Sequence, residues 1–371
     1  MTQTTTSRLL PEDLIIEILS RLSVKTLLRF KSASKSLFNL IISPEFVKLY
    51  LRRSPVVQNS SKILLRSYKF LACFDVDPPQ RRLVQLDIHP DVIKLLEPYF
   101  DDNLIEYFRP GIVAICNGVV CFKKQKEIVL YNPATRAYRQ VPRPPFHTKI
   151  NDELIAYDCV GDDFKIFSII KYSGKRGDSD ECETYLYNLK GNSWSKIKSP
   201  PRGFHSFPSG CRIANDALYW MIYEGGLVNL RIVRFDVSSH RYEEISLPIS
   251  VLGLWKIRLG VLNGRLHLMD EEFGLDIWML KEDKCWSRVF HSSDSEYMDF
   301  LSSHSMTDYS LEPYAYSKDG RKIIIGDLRV YKKVICCDLE SQTLSVVQVL
   351  GLPEGVNFTV IPWTESLVPL A

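Results

Sequence analysis

The sequence predicts an α+β multidomain chain, in which a small N-terminal helical domain precedes a mainly-β, propeller-like domain. Three observations support this prediction. Apolar residues recur at helical spacing only in about the first 53 positions. Beyond Arg53, short or alternating apolar runs are bounded by Gly, Pro, Asn and Asp, as in strands and turns. A hairpin-like phrase then recurs at intervals typical of propeller blades.

The first helix is predicted to begin near Pro11, because proline suits the first helical turn and its missing N–H costs nothing there. Glu12 and Asp13 follow at the positive end of the helix dipole. Two further short apolar faces precede Ser43-Pro44, and "EFVKLYLRR" adds a fourth short helix. So few residues form a marginal core, and their apolar surface must be covered by the rest of the chain or by a partner. Periodicity leaves both alternatives open.

The identity and order of the residues in this segment are more specific than their periodicity. "LLPEDLIIEILSRLSVKTLLRFKSASKSLFNLIISPEFVKLYL" closely resembles an F-box in order and without gaps. The resemblance implies binding to a Skp-type adaptor and, through it, to a cullin-RING ubiquitin ligase. The adaptor-facing residues it implies are Leu10, Pro11, Leu14, Ile18, Leu19, Leu22, Val24 and Leu27. It places Leu28 and Phe30 inside the helical domain.

Two positions depart from the usual F-box pattern. Ser23 stands where the family usually has Pro, and Leu37 stands where it usually has Trp. Serine still permits a turn at a helix end, and leucine fills part of a tryptophan site. We therefore expect these two differences to weaken adaptor binding at most, and not to abolish it.

The β-rich part repeats one hairpin phrase, a strand end followed by a polar turn and a second strand. Its five forms are "LYNPATRAYRQVPRPP", "LYNLKGNSWSKIKSPP", "RFDVSSHRYEEISLP", "IWMLKEDKCWSRVF" and "CCDLESQTLSVVQVLGLP". A lead residue is followed seven positions later by its expected partner in Tyr131/Tyr138, Tyr187/Trp194, Phe235/Tyr242 and Cys337/Leu344, and eight positions later in Trp278/Trp286. We expect the same hairpin register in all five.

Three upstream elements, "ICNGVVCF", "RIANDALYWM" and "GVLNGRLHLM", predict additional hairpins, because Asn-Gly and Asn-Asp accept the positive φ of a tight turn. Two hairpins in succession make a four-stranded unit. The architecture predicted is a kelch-like propeller of five to seven blades, with six preferred. "KILLRSYKF" and "RRLVQLDI" would form the first blade, and the C-terminal "NFTVIPW" would close the ring. A twisted β-sandwich is the alternative.

The predicted domains are a flexible N-terminus over 1–8, the helical domain over 9–53 and the propeller-like domain over 54–371. The latter resembles the F-box-associated domain of plant F-box proteins, through "ICNGVVCF", "IVLYNPATRAYRQVP", "AYDCVGDDFKIFSI", "YNLKGNSWSKI" and "EPYAYSKDGRKIII". "NPATR" is the most specific of these phrases. The resemblance extends to the group that contains S-locus and defence-regulating F-box proteins.

Composition limits the partners. The 371 residues carry a net charge of +3, too balanced for a general attraction to nucleic acid or membranes. There is no signal-peptide pattern and no apolar run of bilayer length. We expect an intracellular protein, cytoplasmic and/or nuclear, without nucleic-acid or membrane partners. The nine cysteines include no CxxC pair and are expected to be reduced core thiols, with Cys336 and Cys337 on opposite strand faces.

No catalytic, metal-binding or cofactor-binding residues are predicted. The histidines are isolated, and no nucleophile elbow or phosphate-binding glycine loop appears. Loops of a propeller instead offer a recognition face, and the candidate target-binding residues are Arg202, Phe204, Phe207 and Trp255, each with loop packing as its alternative role. We predict a non-catalytic substrate-recognition subunit of an SCF-type ubiquitin ligase. The alternatives are a non-ligase scaffold and a propeller-type hydrolase or lyase.

Overall fold

The computed structural model describes most of the chain in segments. These are residues 10–57, 62–66, 71–75, 83–86, 88–96, 111–124, 127–142, 145, 151–158, 161, 163–172, 181–200, 211–214, 217–224, 229–248, 256–282, 284–306, 311–317, 319–326, 333–349, 351–352 and 359–370. The predicted flexible N-terminus, 1–8, lies outside them. Six helices occur in these segments: α1 (Glu12–Leu19), α2 (Val24–Lys31), α3 (Lys35–Ile42), α4 (Pro44–Val57), α5 (Pro90–Leu96) and α6 (Asp294–Ser303).

Helices α1 to α4 form the N-terminal unit, called the head below. Serines cap the start of three of them: Ser23 Oγ accepts a hydrogen bond of 3.3 Å from Thr26 N, Ser34 Oγ one of 3.1 Å from Leu37 N, and Ser43 Oγ one of 3.2 Å from Phe46 N. Such caps satisfy amide groups that a helix leaves without partners at its start. Ser23 therefore replaces the usual proline by an N-cap. Helix α4 continues to Val57, four residues beyond the predicted boundary at Arg53.

The strands described beyond α4 form six four-stranded antiparallel sheets, the blades of a ring. Blade 1 consists of β1 (Lys62–Arg66), β2 (Leu71–Asp75), β3 (Val84–Gln85) and the C-terminal β24 (Thr359–Trp363). Blade 2 consists of β4 (Gly111–Cys116), β5 (Val119–Lys124), β6 (Glu127–Asn132) and β7 (Ala137–Val141). Blade 3 consists of β8 (Asn151–Asp158), β9 (Asp163–Tyr172), β10 (Glu181–Asn188) and β11 (Ser193–Ile197).

The other three blades follow the same order. Blade 4 has β12 (Arg212–Ala214), β13 (Ala217–Glu224), β14 (Asn229–Asp236) and β15 (Arg241–Ile245). Blade 5 has β16 (Ile257–Leu262), β17 (Arg265–Asp270), β18 (Leu275–Leu280) and β19 (Trp286–Ser292). Blade 6 has β20 (Glu312–Tyr316), β21 (Lys322–Gly326), β22 (Lys333–Asp338) and β23 (Thr343–Gln348). The six-bladed propeller is confirmed.

The two ends of the ring meet in blade 1, where β24 pairs antiparallel with β1 in the register Leu64 opposite Ile361. The C-terminal strand therefore closes the ring, as predicted from "NFTVIPW". A strand from one end of the chain completes a sheet from the other, so the closure leaves no open edge between the two ends.

The hairpin register is confirmed in four of the five repeated phrases. Tyr131 faces Tyr138, Tyr187 faces Trp194, Phe235 faces Tyr242 and Cys337 faces Leu344. The prediction is wrong in blade 5, where Trp278 faces Arg288 and Trp286 faces Leu280. A longer third turn accounts for the difference, because five residues separate the closing pair Leu280 and Trp286, whereas four residues separate Asn132 and Ala137 in blade 2.

The predicted Asn-Gly turns are also present, with positive φ at Asn117 and Gly118 and at Asn263 and Gly264. These are the conformations that a two-residue hairpin turn requires. The Asn-Asp turn at 215–216 lies outside the described residues. Two elements, α5 and α6, were not predicted.

The buried apolar residues form several clusters between blades. Cys336 and Cys337 belong to different clusters, which confirms their opposite orientations. One cluster combines residues of all four head helices with residues of blades 2 and 3 and of the C-terminal residues that follow β24. The head therefore packs against the ring and does not form a core of its own.

Candidate functional site: the exposed face of the head

Helix α1 has apolar residues on two sides. Leu19 is 4% exposed in the cluster that joins head and ring, and Ile15 and Ile16 pack against that cluster. On the other side Leu14 and Ile18 are exposed, and Leu10 extends the same i, i+4 row before the helix. No residue that the structure describes covers this row. A solvated helix face is normally polar, so the row has the character of a contact surface.

Exposed apolar side chains also occur on the next two helices. They are Phe30 on α2 and Phe38 and Ile42 on α3, each between 39% and 43% exposed. The Lys31 ammonium lies 5.1 Å from the centre of the Phe38 ring, a cation–π contact. The six exposed side chains, Leu10, Leu14, Ile18, Phe30, Phe38 and Ile42, are called the head face below.

Three of the residues predicted to face the adaptor are buried in this structure. Leu19, Val24 and Leu27 are between 0% and 4% exposed, because they form the interior contacts that hold the head helices to the ring. A partner could reach them only by opening the head. Leu10, Pro11, Leu14 and Ile18 are exposed, and Leu22 is half-buried against the same cluster.

The interior position predicted for Phe30 is also wrong, since its side chain is 39% exposed. Sequence reasoning missed Phe38 and Ile42 as exposed residues. The available signal was the presence of two i, i+4 rows on α3, one of Leu37 and Ile41 and one of Phe38 and Ile42. One short helix cannot bury both rows against the same small core.

Polar contacts fix the orientation of α1 on α4. Glu17 accepts hydrogen bonds from Arg21 at 2.5 Å and from Arg53 at 2.6 Å, and these two guanidinium groups lower the pKa of the Glu17 carboxyl. Arg53 also contacts Ser20 Oγ at 2.6 Å. Tyr50 on α4 donates to the Leu22 carbonyl oxygen at 3.1 Å. These contacts hold the Leu14–Ile18 side of α1 outward.

The head occupies one end of the blades. It shares its cluster with Cys116 and Val119, which flank the first turn of blade 2, and with Ala134 and Leu189 in the third turns of blades 2 and 3. In an antiparallel blade the first and third turns lie at one end, and the second turn and the connection to the next blade lie at the other. The opposite end of the ring, called the far face below, is therefore directed away from the head.

The predicted target-binding residues Arg202, Phe204, Phe207 and Trp255 all lie outside the described residues. Phe273 and Met298 are exposed apolar residues described on the far face. Phe273, in the second turn of blade 5, is 71% exposed, and Met298, on α6 between blades 5 and 6, is 44% exposed. The sequence signal for α6 was the Ser293-x-x-Glu296 capping pattern, and Glu296 Oε2 does accept from Ser293 N at 3.1 Å.

Within the described segments, no three His, Cys, Asp or Glu side chains lie close enough together to hold a metal ion. The helices found there include none that is long and apolar enough to cross a membrane.

Comparison with known proteins agrees with this architecture. Residues 8–49 match the F-box domain, and residues 95–361 match the F-box associated beta propeller domain. The chain is an F-box protein of the F-box-associated β-propeller family. It is similar to two Arabidopsis thaliana proteins: F-box protein At4g22390, 28% identical over 96% of this chain and 90% of that protein, and F-box protein CPR1, 26% identical over 97% and 88%.

Similarity to solved structures is much weaker. The alignment with a chain from a nidogen/laminin complex covers 81% of this F-box protein and 97% of the other chain. The TM-score is 0.43 and the sequence identity is 12%. This level of similarity supports no argument about function.

Proposed function

We propose that this F-box protein is a substrate-recognition subunit of an SCF-type ubiquitin ligase. The head face binds a Skp-type adaptor, and the ring holds a target protein. The observation that carries the proposal is the uncovered row Leu10, Leu14 and Ile18, which lies within the segment that matches the F-box domain.

The chemistry of the head face fits an apolar partner groove. Burying apolar surface is worth about 25 cal/mol per Å², so six half-exposed side chains supply several kcal/mol when a partner covers them. Leu10, Leu14 and Ile18 present a row that can insert into a groove as helix-in-groove complexes do. The contribution is binding and not bond formation.

The ring supports the second half of the proposal by its position. The far face is directed away from the head, so a target bound there does not compete with the adaptor. We retain Arg202, Phe204, Phe207 and Trp255 as proposed target contacts and add Phe273 and Met298. The chain then acts by raising the local concentration of a target lysine near a ubiquitin-charged enzyme carried by other subunits.

Co-purification of the full chain with a Skp-type adaptor and a cullin tests the proposal. The double variant Leu14→Asp/Ile18→Asp places two carboxylates in the proposed interface and should lose the complex. Val84→Asp/Ile93→Asp is the matched control, since Val84 and Ile93 are exposed apolar residues on blade 1 and α5. Failure of the wild-type chain to bind, or equal recovery of the complex with both variants, would reject the adaptor role and favour a scaffold that works without a ligase.

The target side needs a separate comparison. Proteins captured by the wild-type chain would be identified by mass spectrometry beside those captured by Arg202→Ala/Trp255→Ala and by Phe273→Ala/Met298→Ala. Loss of the same proteins from one variant assigns that pair to the target site. An unchanged set removes both pairs from it. We also propose that the protein works in the cytoplasm and/or nucleus, which imaging of a fluorescent fusion tests directly.

A further inference from the structure

The chain continues beyond the strand that closes the ring, and four of the next seven residues are buried. Residues 364–370, called the tail below, follow β24. Ser366, Leu367, Val368 and Leu370 are between 2% and 7% exposed. Terminal residues are poorly ordered unless something holds them.

The side chain of Asn132 makes the most specific contacts with the tail. Its Nδ2 donates to the carbonyl oxygens of Ser366 and Val368, at 3.1 Å and 3.0 Å. Asn132 is completely buried, so these bonds form away from water, where leaving the amide without partners would be costly. Asn132 belongs to "NPATR", the most specific phrase of the ring sequence.

Neighbouring contacts hold the start of the tail. Trp363 Nε1 donates to the Gly118 carbonyl oxygen at 3.0 Å, and Lys62 forms an ion pair with Glu365 at 2.6 Å. Gly118 leaves no room for a side chain, because a Cβ there would lie 2.6 Å from the Thr364 carbonyl oxygen. The tail is therefore seated between blades 1 and 2.

The tail also contacts the head. Leu367, Val368 and Leu370 belong to the cluster that contains buried residues of α1 to α4. Tyr50 of α4 lies close enough to the Glu365 carboxylate for its negative charge to raise the pKa of the phenol, after the larger effect of burial. The tail thus lies where head and ring meet.

Equivalent residues in other blades show which part of Asn132 is special. Asn132 Oδ1 accepts from Ala134 N at 3.0 Å and so supports its own turn. Asp236 and Asp338 hold the same place before the third turns of blades 4 and 6, and their Oδ1 atoms also accept backbone N–H groups of the turn. An aspartate is therefore sufficient for the turn, whereas only an amide can donate to the tail.

We propose that Asn132 is a positioning residue that latches the tail, and that the latched tail fixes the head on the ring. This inference rests on the proposed function, because a fixed head sets the distance from the adaptor to a target on the far face. Positioning of this kind determines how effectively a bound lysine is presented.

Asn132→Asp at pH 8 removes the contacts with the tail and preserves the turn. The carboxylate still accepts the hydrogen bond from Ala134 N, but it repels the two carbonyl oxygens of the tail instead of donating to them. Asn188→Asp is the matched control: Asn188 holds the equivalent position in blade 3, where its Oδ1 accepts from Lys165. A third variant ends at Trp363 and keeps every strand of the ring. Single-molecule energy transfer is measured between dyes attached through unnatural amino acids at Asn39 on α3 and Arg241 on β15, both exposed.

Wild type and Asn188→Asp should give one narrow distribution of head–ring distances. Asn132→Asp and the variant without the tail should give a broad one, with adaptor affinity unchanged. The same comparison is made in a reconstituted ligase, where mass spectrometry maps the ubiquitinated lysines of the ring. We expect a few modified lysines in the wild type and many in these two variants. A narrow distribution in the variant without the tail, or unfolding of the ring in Asn132→Asp, would overturn the latch. Absence of adaptor binding by the wild-type chain would instead reject the proposed function and leave the distance measurement valid.

Discussion

Neighbouring residues Ile18 and Leu19 provide a sharp test of the head face. Ile18 is 51% exposed and Leu19 is 4% exposed, so truncating each to alanine should affect different properties. Full burial of such a side chain is worth roughly 1.5–3 kcal/mol, and an adaptor that covers the exposed half of Ile18 gains about 1 kcal/mol from it. Ile18→Ala should therefore raise the Kd for the adaptor about five-fold, since 1.4 kcal/mol corresponds to ten-fold.

Leu19→Ala should act on folding. Removing a buried leucine side chain costs about 2–5 kcal/mol, because the cavity it leaves collapses only in part. Calorimetric titration with the adaptor and urea unfolding would be measured for both variants. The reasoning is refuted if Ile18→Ala destabilises the fold as much as Leu19→Ala does, or if Leu19→Ala weakens the adaptor complex while the fold keeps its stability.

Three further predictions concern the ring. Gly118→Ala and Gly320→Ala both place a side chain at positive φ, which costs roughly 1–2 kcal/mol. Only the Cβ of Gly118→Ala also collides with the tail, since a Cβ at Gly320 has no neighbouring atom within 4 Å, so Gly118→Ala should lose more stability in urea unfolding. Equal losses would contradict the close contact. His267 is buried and its pKa is lowered to about 4, chiefly by desolvation, so its contribution is complete above the ordinary pKa near 6.5 and is lost as pH falls toward 4. His267→Gln should reduce the stability difference between pH 7.5 and pH 5 by about 2 kcal/mol, and an unchanged difference would show that this imidazole is protonated in the folded state. Glu296→Ala should lower the thermal midpoint at neutral pH and have less effect at acidic pH, where the wild-type carboxyl also loses its charge; an effect that does not depend on pH would contradict a cap made by the carboxylate.

Local patterns predicted the ring well because its turns are local. A short turn fixes which residues face each other over a few positions, and the four residues between Asn132 and Ala137 determined the register of Tyr131 with Tyr138. The same prediction failed at Trp278, because the third turn of blade 5 is one residue longer and closes at the pair Leu280 and Trp286. Ring closure was predictable because a β-rich C-terminal segment remained after the fifth repeat of the hairpin phrase.

The head was predictable as a unit but not in its orientation. Apolar residues occupy two sides of α1, and sequence spacing does not reveal which side the ring covers. Leu19 and Ile18 are adjacent and equally apolar, yet only tertiary packing separates the buried one from the exposed one.

The contact between Asn132 and the tail could not be predicted from the sequence, for a different reason. Asn132 and Ser366 are 234 positions apart, and no local pattern connects an amide in a hairpin turn to a carbonyl near the C-terminus. The family phrase "NPATR" marked the position without its role. The role follows from the burial of Asn132 and from the aspartates that replace it in other blades.

Hydrogen exchange of the full chain with and without a Skp-type adaptor tests the central claim most directly. We expect slower amide exchange over residues 10–22 and 30–42 when the adaptor is bound, because the head face becomes covered there. Exchange in blades 3 to 6 should remain unchanged. Protection confined to the ring, or no protection of the head at adaptor concentrations that saturate binding, would contradict the assignment of this face.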